Sequence, residues 1–261
     1  MKANKTKQIL RQGGTAVGTM VADFRSPEVA AVLASAGFDF LIIDNEHGPY
    51  DLETDHEIIR HARKCGIDAF VRVPDAQYHL IARTLDIGAE GVMVPRVEER
   101  ATVEEIVAAV KYPPVGRRGY GVRSIITDRE PVSMPEAIEF LNANTLIIIQ
   151  IETARAVENV ADLVSVPGVD VALIGPADLS VSLGVPGESE HPKMIEAIQR
   201  VVDACQKAGV AASAHLGSVE QLGFWHQRGM RCLVCSTDSG FMHAAARECA
   251  SALRGIAASG R

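Results

Sequence analysis

Nothing in this 261-residue sequence supplies a membrane span. A strongly apolar run, residues 146–151, is interrupted by Gln150 and falls far short of the ~20 residues that cross a bilayer. Residues 1–14 carry basic side chains with no apolar stretch behind them, so no secretory signal is expected. Positive charge is in deficit: 26 Lys and Arg stand against 33 Asp and Glu, a net charge of −7, which leaves no broad cationic footprint for nucleic acid. The cysteines number five, an odd count that argues against a disulfide framework. No Pro/Gly/Ser-rich linker and no low-complexity block divides the chain. With 47% apolar residues there is ample core-forming material, and disorder is excluded. The expectation is a soluble cytoplasmic protein that folds as one domain over residues 1–261, with no membrane or nucleic-acid partner.

What is present is an alternation. Short runs of Val, Ile and Leu at 16–21, 38–44, 69–73, 91–94, 145–151, 169–174, 210–214 and 231–235 read as buried parallel strands. Each is followed by a stretch with helical spacing, at 26–36, 53–64, 77–87, 99–110, 154–163, 192–207, 218–227 and 240–255, with a short extra helix at 134–142. Eight βα units in an undivided chain are the count of an α/β TIM (β/α)8 barrel. An open doubly wound sheet is the alternative, weakened because no glycine-rich phosphate loop follows the first strand. A barrel puts its chemistry at the C-terminal strand ends.

Four strand ends are polar. Strand two runs into Asp44-Asn45-Glu46-His47-Gly48; Asp44 either orients the His47 imidazole for proton transfer or simply caps a turn. Strand three carries Arg72 among apolar neighbours, to hold an anion or to pair internally with Glu46. On strand five, alternation puts Gln150 and Glu152 on one side, with the flanking isoleucines facing the outer helices. Strand six ends at Gly175-Pro176-Ala177-Asp178, read as a loop above the barrel, where Gly175 admits close backbone approach. Glu152 and Asp178 on neighbouring strand ends form half of an oxygen-rich site suited to Mg²⁺ or Mn²⁺. The competing reading has Asp178 capping a turn and Glu152 paired with Arg72.

Several patterns mislead. His56-Glu57-x-x-x-His61 lacks the i, i+4 histidine pair of a zinc protease. Cys232 and Cys235 have CxxC spacing but fall on a strand, where residues three apart face opposite sides. Gly116-Arg117-Arg118-Gly119-Tyr120-Gly121 follows Tyr112-Pro113-Pro114 rather than a strand, and is expected to form an arginine-bearing loop near the mouth. There is no G-x-S-x-G elbow for a serine hydrolase. The seven lysines avoid every strand and every strand end named above, so a Schiff base is not expected and carbonyl chemistry must lean on a metal.

Taken together, Asp44-Asn45-Glu46-His47-Gly48, Val71-Arg72, Val94-Pro95, Tyr112-Pro113-Pro114-x-Gly116-x-Arg118-Gly119, Gln150-Ile151-Glu152-Thr153 and Gly175-Pro176-Ala177-Asp178-Leu179-Ser180 resemble the HpcH/HpaI aldolase family, in order along residues 10–255. The best match is its HpaI-like branch of metal-dependent pyruvate aldolases acting on 2-keto-4-hydroxy acids. The resemblance implies that Glu152 and Asp178 bind a divalent ion (Mg²⁺ or Mn²⁺, with Co²⁺ also admitted) and that Arg72 holds the keto-acid oxygens. It implies that N–H groups near Ala177 and Asp178 receive the substrate carboxylate, that Gln150 is a polar contact, and that His47, oriented by Asp44, is the base, acting through water. Asp86 matches a position that reaches a neighbouring subunit's site, and a homohexamer is implied. Two departures stand out: Asn45 replaces the usual glycine, and Ala214-His215-Leu216-Gly217 replaces a more apolar segment, so that His215 and Leu216 bear on the aldehyde side. A CoA-ester lyase would need a basic groove beyond Arg117, Arg118 and Arg123. A non-catalytic keto-acid-binding barrel would need no oriented base.

Overall fold

The computed structural model describes residues 1–122 and 125–259. Its strands are β1 (Ala16–Val21), β2 (Phe40–Asp44), β3 (Asp68–Arg72), β4 (Gly91–Val94), β5 (Leu146–Ile151), β6 (Val171–Ile174), β7 (Ala211–Leu216) and β8 (Cys232–Thr237). They pair in sequence order, all parallel, and β8 closes on β1 to complete the barrel. The helices are α1 (Lys5–Arg11), α2 (Glu28–Ser35), α3 (Leu52–Cys65), α4 (Tyr78–Asp86), α5 (Arg100–Val110), α6 (Met134–Asn144), α7 (Ala154–Glu158), α8 (Val160–Val164), α9 (Pro176–Ser182), α10 (Pro192–Ala208), α11 (Val219–His226) and α12 (Asp238–Ser259). No described helix is long and apolar enough to cross a membrane.

Alternation along each strand separates two cores. Inward residues Met20, Phe40, Ile42, Phe70, Ile148, Leu173 and Val234 fill the barrel, while outward residues such as Ile43, Val71, Ile149, Ile151 and Ala214 pack beneath the helices. Gly18 on β1 is required by this filling, since a Cβ there would lie 2.2 Å from the Phe40 ring. Helix ends at Gly66 and Gly209 are in the left-handed conformation that glycine adopts without strain. Cys232 points into the barrel and Cys235 toward the helix layer, as the strand spacing required. Burial pushes the Cys232 thiol up to about 12, so it is inert.

Three helical regions depart from expectation, and one of them, the single helix expected at 154–163, is broken at Asn159 into α7 and α8. α1, capped by the Asn4 side chain on Lys7 N–H at 2.8 Å, closes the N-terminal face of the barrel with Leu10. Its anchors are Thr6 and Lys2 on Asp68, at 2.7–2.8 Å, and Lys7 on Asp170 at 2.8 Å. Its apolar content is too small to announce it in sequence. The segment after β6 is not a loop: Pro176 opens α9, where a missing N–H costs nothing.

The Gly116–Gly121 stretch lies beside α4, in the helix layer rather than over the barrel opening, with Gly119 N–H donating to the hydroxyl of Tyr78, the first residue of α4, at 2.8 Å. Arg118 pairs with Asp86 at the end of α4 farthest from the mouth, at 2.6 Å.

A candidate metal and keto-acid site at the barrel mouth

The turn after β2 is built by Asp44. Its Oδ1 accepts the backbone N–H groups of Glu46 and His47 at 3.0 and 3.2 Å, a common device by which Asp closes a turn. Gly48 then donates to the Asp44 carbonyl at 3.0 Å, and a Cβ on Gly48 would meet that same oxygen at 2.2 Å. Asn45, one of the two departures from the family, donates to Asp55 of α3 at 2.5 Å and ties the turn to the helix layer.

The expected pairing of Asp44 with the His47 imidazole does not occur in this chain. Asp44 touches only the His47 backbone, and both its oxygens are taken by Arg72, from Nε at 2.8 Å and Nη2 at 2.6 Å. The reason is register: β2 and β3 place Asp44 directly beside Arg72. The His47 side chain is 65% exposed on the rim, 3.9 Å from Glu46 Oε2. Arg72 also meets Glu46 at 3.1 Å, so the internal ion pair considered from sequence is present alongside a position suited to anion binding. Burial works against the Asp44 charge, but Arg72 and the two turn N–H groups outweigh it and hold the carboxyl below its ordinary value.

Across the mouth, Gln150 and Glu152 share the inner side of β5, and the Gln150 amide donates to Glu152 Oε2. Glu152 Oε1 accepts the backbone N–H of Arg96 at 2.7 Å. Sequence reasoning passed over Arg96. It follows Val94-Pro95 at the end of β4 with a positive φ of 54°, a strained turn that aims its N–H at Glu152. Its guanidinium lies 3.7 Å from Glu46, and the position just beyond a strand end was its one available signal. Gly175 makes room for the acid: a Cβ there would lie 2.6 Å from Gln150 Nε2 and 2.8 Å from Glu152 Oε2. Asp178, in the first turn of α9, is close enough that its charge bears on Glu152. Burial, with Glu46 and Asp178 adding to it, pushes Glu152 up to about 7 despite the Arg96 N–H and the Arg72 charge. The Gln150 Oε1 atom is buried with no hydrogen-bond partner.

These residues fit a hard divalent cation. Two neighbouring acidic side chains, one destabilised as an anion by burial, are oxygen donors of the kind Mg²⁺ and Mn²⁺ take, and the orphaned Gln150 Oε1 beside them is an acceptor left open to a bound group. Among the described residues no cluster of three or more His, Cys, Asp or Glu side chains could hold a metal; a cation on Glu152 and Asp178 would take its remaining ligands from substrate and water.

The other expected residues scatter. Ala177 occupies the first turn of α9, where backbone N–H groups have no intrahelical acceptor. His215 turns into the barrel beside inward Val234. Leu216, expected with it on the substrate side, points outward into the helix layer and borders a groove with Phe224 and Trp225. Consecutive strand residues face opposite sides, so the two could not both line the mouth. Asp86 is remote from this chain's own mouth. Arg117 pairs with Glu105, Arg118 with Asp86, and Arg123 lies outside the described residues. Lys111 is the one lysine with a strongly depressed pKa, down to about 7 by burial and by Lys7. It sits at the N-terminal face on the carbonyls of Asn142 and Thr145, the wrong end of the barrel for a Schiff base.

The chain is similar to known proteins over most of its length. A protein named 4-hydroxy-2-oxovalerate aldolase from Rhodococcus jostii (strain RHA1) is 39% identical over 217 residues, 81% of this chain and 80% of that protein. A 2-keto-3-deoxy-L-rhamnonate aldolase from Salmonella gallinarum is 32% identical over 217 residues, 80% of this chain and 78% of its own. The crystal structure of an HpcH/HpaI aldolase from Desulfitobacterium hafniense DCB-2 superposes with a TM-score of 0.91 at 34% identity, covering 95% of this chain and 96% of the other. The family profile described as HpcH/HpaI aldolase/citrate lyase matches residues 20–235, and this chain belongs to that family.

Proposed function

We propose that this chain is a divalent-metal-dependent pyruvate aldolase, which reversibly cleaves a 2-keto-4-hydroxy acid to pyruvate and an aldehyde. The observation that carries this reading is the placement of Glu152 and Asp178 at adjacent strand ends, opposite an Arg72 already locked in position by Asp44. Glu152 and Asp178 would hold Mg²⁺, Mn²⁺ or Co²⁺. When bound, the cation supplies Lewis-acid stabilisation of the negative charge that develops on the keto oxygen as the C3–C4 bond breaks.

The chain's own groups do the rest. Arg72 presents a fixed cation to the keto acid without having to reorganise, which is what makes such a charge effective. Gln150 offers its free Oε1 as an acceptor to a hydroxyl of the bound substrate. The first-turn N–H groups of Ala177 and Asp178 receive the substrate carboxylate. His47, on the open rim, takes the C4 hydroxyl proton through water. Asp86 would reach such a site only in a neighbouring subunit.

A homo-oligomer, hexameric by the family resemblance, is part of this proposal. It is supported by α12, which presents Met242 and Leu253 to solvent at 60% exposure each. We also place the protein in the cytoplasm, with residues 1–261 acting as one barrel domain; its cysteines are all free. A CoA-ester lyase is not favoured, because Arg117 and Arg118 are already paired with acids away from the mouth. A binding-only barrel gives no reason to crowd Glu152 against Gly175.

The test is a retro-aldol screen of 2-keto-4-hydroxy acids, with pyruvate detected by a coupled assay. Pyruvate release that is abolished by exhaustive chelation and restored by Mg²⁺ or Mn²⁺ supports the reading. Undiminished release after chelation removes the metal, and cleavage of malyl-CoA-type esters, read as acetyl-CoA formation, with no pyruvate from any of the keto acids removes the aldolase.

A further inference from the structure

The mouth has two sides. The arc from β3 to β6 carries Arg72, Gln150, Glu152 and Asp178, which together account for the keto acid. The aldehyde-derived half, whose C4 hydroxyl faces His47 after β2, is left the adjoining arc of β1, β8 and β7. One inward imidazole, His215, stands on that arc.

Its chemistry is decided by one contact. His215 Nε2 lies 2.9 Å from the carbonyl oxygen of Ser236. A carbonyl can only accept, so Nε2 carries the proton, and in the neutral ring Nδ1 is left as an acceptor. The carbonyl is itself held in place. Ser236 has a positive φ of 56°, a strained conformation for a serine, where β8 shifts register against β1. The Thr19 hydroxyl grips the same oxygen from the other side at 3.2 Å. Burial, with the Arg72 guanidinium nearby, holds the His215 pKa below the ordinary imidazole value, outweighing the Ser236 bond and the Asp44 charge. The rim above is polar too: Ser239, just past β8, donates to the Asp23 carboxylate, just past β1.

From this geometry we infer that His215 is a specificity-determining residue whose Nδ1 accepts a hydrogen bond from a hydroxyl on the aldehyde-derived half, so that the enzyme prefers hydroxyaldehydes over alkyl or carboxylated aldehydes. The inference rests on the aldolase reading. A hydroxyl is the group that can donate to Nδ1. An alkyl chain would leave that acceptor desolvated and unpaired, and a carboxylate would meet a lone pair and the Asp23 charge.

The experiment compares aldol addition of pyruvate to glycolaldehyde and to propanal, which have the same number of heavy atoms, for wild type, His215→Leu and His215→Gln. Wild type is expected to favour glycolaldehyde by about 10–100-fold in kcat/KM. In His215→Leu that ratio falls toward one, and in His215→Gln, whose amide oxygen can still accept, it is partly restored. A wild-type preference for propanal, or a ratio unchanged in His215→Leu, overturns the inference. A second readout does not need turnover: in the metal-free protein, glycolaldehyde but not propanal should shift the Nδ1 resonance of His215 in a ¹⁵N imidazole spectrum. If neither aldehyde is added, the aldolase reading fails, and the spectrum alone decides the role of His215. No shift overturns it.

Discussion

Asp44 holds Arg72 by both carboxylate oxygens, at 2.8 Å from Nε and 2.6 Å from Nη2, across the β2–β3 register. The guanidinium that faces the keto-acid site is thus aimed by a neighbouring strand rather than by the ligand. Arg72→Ala should lower kcat/KM for pyruvate release by about 10²–10³-fold. Asp44→Asn keeps the cation but loses its holder, and should cost less activity while destabilising the fold by about 3 kcal/mol, because a buried charge loses one of its two partners. Steady-state kinetics and urea unfolding check both. Near-wild-type activity in Arg72→Ala would remove Arg72 from the site.

Gly175→Ala should impair metal binding more than folding. The added Cβ would stand 2.8 Å from Glu152 Oε2 and 2.6 Å from Gln150 Nε2, so one of these side chains must move. Titration with Mn²⁺, followed by the loss of its free electron-spin signal, should show affinity reduced at least about 10-fold, with thermal stability altered only modestly. Equal affinity in both proteins would mean that Glu152 does not ligate the ion.

At the N-terminal face, burial pushes the Glu90 carboxyl up to about 7, against the opposing charges of Lys2 and Arg63. Its value in the unfolded chain is about 4.3. Between these values the folded protein holds a proton that the unfolded chain has lost. Stability from this group is therefore present below about pH 4.3, declines as pH rises, and is gone above about pH 7. Asp55, pushed up to about 6 by burial, acts in the same direction. Urea unfolding at pH 5, 6, 7 and 8 should show stability falling with pH, with a shallower slope in Glu90→Gln. An identical slope in the variant would mean that Glu90 is ionised throughout.

The exposed side of α12 should matter to assembly. Leu253→Asp places a charge where an apolar side chain is 60% exposed in the single chain. If that side is covered by another subunit, light scattering should report a smaller particle for the variant than for wild type, with the barrel still folded by circular dichroism. An unchanged mass would place the contact between subunits elsewhere.

Much of the fold was legible because two periodicities carry it. Strands β1 and β4 begin and end where the apolar runs do, and the others shift by one or two residues, as where apolar Val169 or Val73 lies just outside the ladder. α1 escaped notice because its few apolar residues mark no clear face, and its stability comes from Asp68 and Asp170, far away in sequence. α9 was hidden behind a Gly-Pro pair that reads as a turn. The candidate site was legible in membership but not in wiring. Strand ends can be listed from the chain alone, whereas which end meets which depends on register. That is why proximity along the chain suggested Asp44 for the His47 ring, while the barrel gave it to Arg72. The same limit joined His215 with Leu216, which the pleat sends to opposite sides.

The sequence by itself determined the alternation of buried strands and amphipathic helices, the polar residues at their C-terminal ends and the family to which these motifs are similar. Those depend on the order of side chains along one chain, and burial enforces them locally. Only the tertiary structure decided that Glu152 lies under Gly175 with the Arg96 N–H upon it, that Asp44 serves Arg72, and that Ser236 sets the tautomer of His215. Each of these joins residues on different strands, and the distances between strands follow from barrel closure and register, which no local pattern encodes.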